Sequence, residues 1–409
     1  MYANETYSPP SEEELAALII QAGEQKMPVE ICGNRTKRSI GRPMQVGTRI
    51  SMSEMRGVTL YEPTELVLSA KAGTPLAEIE ALLGEHGQEF AFEATRLERL
   101  FPPGAGEPAT IGGVVATNGS GPRRVLRGSV RDHLIGIRAV NGLGEIIKSG
   151  GRVMKNVTGY DLARGLAGSW GTLAALSEVT LKVLPKAEEM RSLIFLNLQD
   201  EGGVAAMCQA MRTPYEISGT VHLPAAFVDR LSDPDIAKLG RSVTALRLEN
   251  FSAALDRRTG HLHERLKPFG AIYELDDERS RSFWNDIRSL AFLAGSDRPL
   301  WRITTAPDRA AKLVGALRTH LECEAAFEWS GGLIWIEVTP ATDAGATMLR
   351  RIIAEFEADA MLVRASQATR AAVDVFHPLP EVNMRLIRGL KEAFDPHRLL
   401  NPGRMYGVV

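Results

Sequence analysis

The stretch TIGGVVATNGSGPRR, residues 110–124, sets four glycines, two threonines and an Asn-Gly pair ahead of two arginines. Glycine removes the Cβ where backbone must approach something closely or adopt positive φ. A glycine-rich helix packed on a sheet explains the bare backbone. It does not explain Thr110, Thr117, Asn118 and Ser120, which place donors and acceptors beside it. A flat polar heterocycle joined to a pyrophosphate asks for both. A second stretch, CGNRTKRSIGRP at 32–43, ends a strand at Gly33 and continues with small, polar and basic residues. Backbone N–H groups are aimed at phosphates in this manner. The spacing is neither a Walker loop nor a Rossmann GxGxxG, and alone it reads as an ordinary surface loop.

These stretches need rigid elements on either side. Ser11 with Glu14 fits a capping box, and Leu15, Leu18, Ile19 and Ile20 supply an apolar helical stripe behind it. VEICG at 29–33 and LVLSAKAG at 66–73 read as strands ending at glycines. TPLAEIEALLGEHG, 74–87, reads as a helix with Thr74 as N-cap and Gly87 beyond its end. HLIGIRAV and EIIKSG, joined by NGLG at 141–144, predict a hairpin. GYDLARGLAG reads as a helix, and LAALSEVTLKVLP as a strand closing on Pro185. From about residue 190 the strand–helix units predict an antiparallel sheet with helices on one face. The tail reads as a helix stopped at Asp395-Pro396, followed by a turn at Asn401-Pro402-Gly403.

Composition removes several classes of function. The 409 residues are 44% hydrophobic and 24% charged, as in a soluble protein of two or three domains. A net charge of -2 supplies no general attraction to nucleic acid, which is not expected as a partner. Cys32, Cys208 and Cys323 are scattered and odd in number, so the expected compartment is the reducing cytoplasm. They also fall short of the thiolate set that an iron–sulfur cluster needs. The N-terminal residues do not read as an export signal, and no apolar run reaches the ~18 residues of a membrane span. Membrane association is expected only through partners.

The blocks TIGG, ATNGSGPR, GSVRDHLIG, KNVTGYDL and GSWGTLAALSEVTLKVLP follow one another between 110 and 185, and LKEAFDPHRLLNPGRMY closes the chain. In that order they resemble the FAD-binding family of the vanillyl-alcohol oxidase type, in its glycolate oxidase and D-lactate dehydrogenase branch. Within that branch the chain is similar to the short FAD-binding subunits of the bacterial glycolate oxidase complex. The resemblance implies an α+β fold: a two-lobed FAD-binding domain over 1–188 (lobes about 1–92 and 93–188), an α+β cap over 189–372, and a segment, 373–409, returning to the FAD domain. It implies pyrophosphate contacts from Gly33, Asn34, Arg35, Thr36, Lys37, Arg42 and Pro43. Cofactor-lining positions would be Pro102, Pro103, Thr110, Ile111, Gly112, Gly113, Thr117, Asn118, Gly119, Gly121 and Pro122. Glu178 and Val179 would lie near the adenine, and Asn401 would close the pocket. Some relatives attach the flavin through a histidine in the first phosphate loop. Residues 33–42 contain none, so FAD is expected to be non-covalent.

Complete enzymes of the branch carry a histidine-rich H-x-G-D-G-N metal motif, and 190–370 holds nothing close to it. His261 and His263 stand two apart on a predicted helix, on different faces, and read as solvated or lightly packed. His133 reads as a brace of the flavin lobe. Arg123 and Arg124 fit either positive charge near flavin or a substrate carboxylate, or a salt bridge between lobes. Tyr160 and Asp161 fit an ordering role at the following helix, or for Tyr160 a place facing the flavin, and Trp170 stands where many relatives have glutamate. The leading expectation is an FAD subunit of a 2-hydroxy-acid oxidoreductase, glycolate oxidase foremost, with a second flavin subunit and an iron–sulfur subunit as partners. A self-sufficient dehydrogenase for glycolate or D-lactate needs a catalytic base that the sequence does not name. A non-catalytic flavin-fold scaffold is the reading of another class. No catalytic residue and no metal ligand is assigned.

Overall fold

Ser11 accepts the Glu14 N–H at 3.3 Å and so starts the helix Glu12–Glu24. Leu15, Ala16, Ile19 and Ala22 form its buried face. They pack on a parallel sheet ordered Glu5–Tyr7, Thr48–Ser51, Val29–Cys32. The computed structural model describes residues 5–101, 108–151 and 160–409.

A second sheet is antiparallel, in the order Val58–Glu62, Val67–Lys71, Ala174–Lys182, Leu134–Asn141, Ile146–Gly150. The expected hairpin forms at 141–144: Asn141 Oδ1 accepts the Leu143 and Glu145 N–H groups at 2.9 Å each. The strand Val67–Lys71, expected with the first lobe, pairs instead with Ala174–Lys182. The helix Leu76–Glu85 follows it, burying Leu76, Ile79 and Leu83 in the same core. Thr74 does not cap that helix; Pro75 occupies the cap position. The Thr74 hydroxyl donates to Lys71 O at 2.6 Å and accepts the Gly57 N–H at 2.9 Å, closing a loop.

Residues 189–364 build one antiparallel sheet of eight strands, with Val243–Asn250, Gly219–Leu223 and Cys323–Glu328 near its centre. The expected single helical layer is incomplete. His222 and Thr244 pair on the face covered by the helix Asp200–Met211, where His222 Nε2 meets Asp200 Oδ1 at 3.3 Å. Ser192 and Arg247 pair on the opposite face. There the helix Asp277–Arg288 lies, with Trp284 Nε1 donating to Ser192 Oγ at 2.9 Å. Alternation along each strand therefore puts these two helices on opposite sides.

Asp277–Arg288 and the sheet face it shares meet the front of the molecule. Arg247 donates to both Glu93 oxygens at 2.9 Å. Arg123 pairs with Glu249 across the same boundary and with Glu89 at 2.9 Å. Trp329 Nε1 donates to Gly121 O at 3.1 Å. The C-terminal helix Glu381–Phe394 then leads the tail back to the first sheet, where Val29 N–H donates to Leu399 O at 2.8 Å. Buried Lys391 holds that return, its ammonium meeting Thr172 O at 2.6 Å, Asp395 Oδ2 at 2.8 Å and Leu400 O at 3.1 Å.

Candidate cofactor cleft

Between the two front sheets lies a cleft of about 710 Å³, open to solvent. Its floor comes from the loop after Val29–Cys32, its roof from the helix Ile111–Thr117. The two approach closely because a side chain is missing. A Cβ on Gly33 would stand 2.3 Å from Thr110 Oγ1, and one on Gly112 would stand 2.6 Å from Ala72 Cβ. Thr110 Oγ1 in turn accepts the Gly113 N–H at 3.3 Å, which fixes the first turn of that helix. Arg35 takes φ 58°, so the loop turns sharply there.

Lys37 is the distinctive group of the cleft. Its side chain is only 6% exposed, and its Nζ has no hydrogen-bond partner among the described residues. Burial pushes its pKa down to about 8; Glu98 opposes that shift and Arg404 adds to it. The ammonium lies 4.0 Å from where a Gly113 Cβ would stand, against bare backbone. A desolvated cation with no partner is costly, and an anion in the cleft removes the cost. Cys32 also lines the wall, its thiol pushed up to about 12 by burial first and by Glu30 second. It stays protonated and is no nucleophile.

The cleft gathers Gly33, Asn34, Arg35, Thr36, Lys37, Thr110, Gly112, Gly113 and Thr117 from the expected set. Arg42 and Pro43 line an adjoining cavity instead. Ile111 and Val179 are fully buried in the apolar core. Asn118 takes φ 49° at the helix end, and its Oδ1 accepts the Arg131 N–H at 3.0 Å. Gly119 and Pro122 lie beyond that end, and Gly121 approaches Glu93, whose carbonyl would stand 2.3 Å from an added Cβ. Glu178 sits on Ala174–Lys182 opposite Lys71 and Arg138. Asn401 lies behind the cleft wall, bonded to Ile31 and Trp170. Pro102 and Pro103 lie outside the described residues, as does the whole KNVTG stretch, 155–159.

Sequence reasoning missed part of the lining. Trp170, Gly171 and Arg404 reach the cleft from distant motifs. The Trp170 indole packs edge-on to Phe376 at 5.4 Å, and the Arg404 guanidinium lies 5.2 Å from its ring. The signal was present in GSWGT and NPGRMY, but not the direction in which those side chains point.

The other singled-out residues hold structure together. Arg123 forms the ion pairs between front and cap, and Arg124 lies over Trp329 at 4.8 Å. Asp161 caps Leu162–Leu166 through the Arg164 N–H at 3.1 Å, while Tyr160 is exposed. His133 Nε2 meets Arg127 O at 2.6 Å. His261 stacks on Tyr215, and His263 Nε2 meets Glu274 Oε1 at 2.7 Å. Among the described residues no cluster of histidine, cysteine and carboxylate side chains is arranged to hold a metal ion. No helix among them is long and apolar enough to cross a membrane.

Residues 6–150 match the family described as FAD binding domain. The chain is 34% identical to glycolate oxidase subunit GlcE of Escherichia coli strain K12, covering 95% of each protein. It is 28% identical to a D-lactate dehydrogenase of Anaerostipes hadrus over 97% of this chain and 88% of that protein. Glycolate oxidase subunit GlcD of Bacillus subtilis is 22% identical over 98% and 88%. The solved structure of p-cresol methylhydroxylase with substrate bound superposes with a TM-score of 0.72 at 14% identity, over 98% of this chain and 88% of that one. That last likeness is one of fold.

Proposed function

We propose a function from one premise: the chain belongs to the FAD-binding oxidoreductase family that includes glycolate oxidase subunit GlcE. It is an FAD-binding subunit of a 2-hydroxy-acid oxidoreductase, and the substrate of its complex is glycolate, converted to glyoxylate. The observation that carries the cofactor assignment is the buried, unpartnered Lys37 ammonium facing the bare backbone of Gly113.

Lys37 and Arg35 meet the two charges of the pyrophosphate, while Gly33, Gly112 and Gly113 let it approach the backbone. Asn34 is held for this by its bond to Pro108 O at 2.8 Å. Each charge-assisted hydrogen bond contributes about 1.5–3 kcal/mol, so several retain FAD without a covalent link. No histidine stands in 33–42, and the Cys32 thiol is protonated, which supports non-covalent attachment. When bound, FAD supplies a two-electron acceptor for the α-carbon hydride of a 2-hydroxy acid.

A second flavin subunit and an iron–sulfur subunit complete the assembly in this reading, and the sister flavin subunit oxidises the substrate. The support is the likeness to GlcE and GlcD together, and the absence of the H-x-G-D-G-N motif from this sequence. The test is to purify the chain, record its flavin spectrum and add glycolate without oxygen. Yellow protein that bleaches only after the partner subunits are added is the expected result. Bleaching of the chain alone identifies a self-sufficient dehydrogenase, and colourless protein that still binds its partners identifies a scaffold.

A further inference from the structure

The helix Glu381–Phe394 carries apolar side chains on two faces. Its inner face packs on the protein through buried Met384 and Lys391, with Ile387 half-buried beside them. Its outer face holds Val382, Leu386 and Leu390 at four-residue spacing, 60%, 64% and 46% exposed, and exposed Ala393 extends the stripe. Residues at that spacing stand on one side of a helix. Apolar residues exposed singly are ordinary, but contiguous ones mark contact surfaces. No other helix among the described residues exposes more than one large apolar side chain. A helix that is apolar on both sides is built to be covered on both.

The charges of this helix point to what covers it. Arg388 donates to Glu381 Oε1 at 2.6 Å, and Lys391 meets Asp395 Oδ2 at 2.8 Å. The two charged residues left over, Arg385 and Glu392, are exposed and have no partner among the described residues. They are opposite in sign and two turns apart, so they flank the apolar stripe on the same side. Gly389 lies near their midpoint, also exposed, and a Cβ there would meet nothing within 4 Å. Contacts within the chain do not call for glycine at that position, where it weakens a helix. The close approach of another backbone does.

We propose that this face binds a second copy of the same chain, through an antiparallel pair of Glu381–Phe394 helices related by a two-fold axis beside Gly389. Such an axis reverses the order of residues along the facing helix while keeping each flank on its own side. Arg385 of each copy then meets the partner's Glu392, and both unpaired charges are answered twice. Val382, Leu386, Leu390 and Ala393 of the two copies lie against one another between those ion pairs. A parallel pair would instead set both charges against the flank that holds Asn383 and Ile387, where no charge answers them. The helix supplies its own complement, which makes a second copy the occupant. One helix per copy covers less than the ~800 Å² a side of a standard interface, so the dissociation constant is on the order of 10 µM.

The experiment is sedimentation velocity on the full chain with FAD and without other subunits, from about 1 to 200 µM, a range that brackets the expected constant. A monomer–dimer equilibrium is expected. Leu386→Glu, at an exposed position, should weaken it about tenfold or more while leaving the thermal midpoint unchanged. Arg385→Glu and Glu392→Arg should each weaken it about threefold, and the two together should restore it, because the reversed charges meet again across the axis. The proposal fails if the parent stays monomeric throughout, or if Leu386→Glu associates like the parent. It also fails if the double reversal associates no better than the single ones. A parent that stays monomeric until a second flavin subunit is added, in a complex that Leu386→Glu blocks, overturns self-association and gives the face to that subunit. Mass is read independently of flavin absorbance, so the outcome stands apart from the function proposed above.

Discussion

Asn401 and Ile31 exchange two hydrogen bonds across nearly the whole chain: Ile31 N–H donates to Asn401 Oδ1 at 2.8 Å, and Asn401 Nδ2 donates to Ile31 O at 3.2 Å. The same Nδ2 reaches Trp170 O at 2.8 Å. One side chain thus ties the strand that launches the 33–38 loop to the wall contributed by GSWGT. Asn401 shapes the cleft without lining it, whereas Arg404 of the same tail lines it.

Asn401→Ala leaves the Ile31 N–H and Trp170 O without partners in a site only 1% exposed. The expected cost is about 1–3 kcal/mol of folding stability, together with a lower flavin-to-protein ratio. Urea unfolding and the absorbance ratio measure both. If stability falls while flavin is retained in full, the latch does not shape the cleft.

Lys37 gives opposite signs in two assays. Removing a buried ammonium that has no partner relieves the flavin-free protein, so Lys37→Met should hold or raise its thermal midpoint. The same change should weaken FAD binding by about 1.5–3 kcal/mol through the lost charge-assisted bond. A pH series adds a third reading. The free amine titrates near 8, and the bound form needs its proton, so FAD affinity is level below about pH 8 and falls above it. An affinity that stays constant to pH 10 would remove Lys37 from the phosphate contacts.

Much of the front half was legible because its signals are local. Asn141 closes its hairpin through its own neighbours, and Gly33 and Gly112 are bare because Thr110 and Ala72 press against them. What remained hidden depends on pairing between distant segments. LVLSAKAG looks the same whether it joins the first sheet or, as it does, Ala174–Lys182. Thr74 has the residue type of a cap, yet Gly57 competes for its hydroxyl from 17 positions away. Two helices divide between the faces of the large sheet because Thr244 and Arg247 point in opposite directions, a matter of register that helix periodicity does not report. Arg404 and Trp170 meet at the cleft only once the tail has returned.

The front and the cap are joined by charge. Arg123 is 6% exposed and Glu249 8%, with Glu89 and Glu93 close by. Glu249 is held down at about 2: burial works against that, and Arg247 and Arg123 prevail. Arg123→Ala leaves buried Glu249 with only the Arg247 guanidinium, at 3.5 Å, as its ion-pair partner among the described residues, and the expected loss is about 3 kcal/mol. Arg123→Ala with Glu249→Gln should recover part of it, which a double-mutant cycle on unfolding free energies measures. Additive losses would mean that the pair does not couple the two halves.

Glu328 sets a pH dependence at the same boundary. It is 2% exposed and accepts the Trp335 Nε1–H at 2.7 Å. Burial raises its pKa to about 7 against the opposing Trp335 bond, and Glu93 adds to the rise. The folded protein therefore keeps this proton to about pH 7, whereas the unfolded chain releases it near 4.5. Between those values the native state binds more protons, so the Glu328 contribution to stability is present at low pH and declines as pH rises through 7. Glu328→Gln, with a neutral amide of the same shape, should flatten that decline and be the more stable protein at pH 7.5. Unfolding free energies at pH 5 and pH 7.5 decide it: an equal fall in parent and variant would assign the pH dependence to other groups.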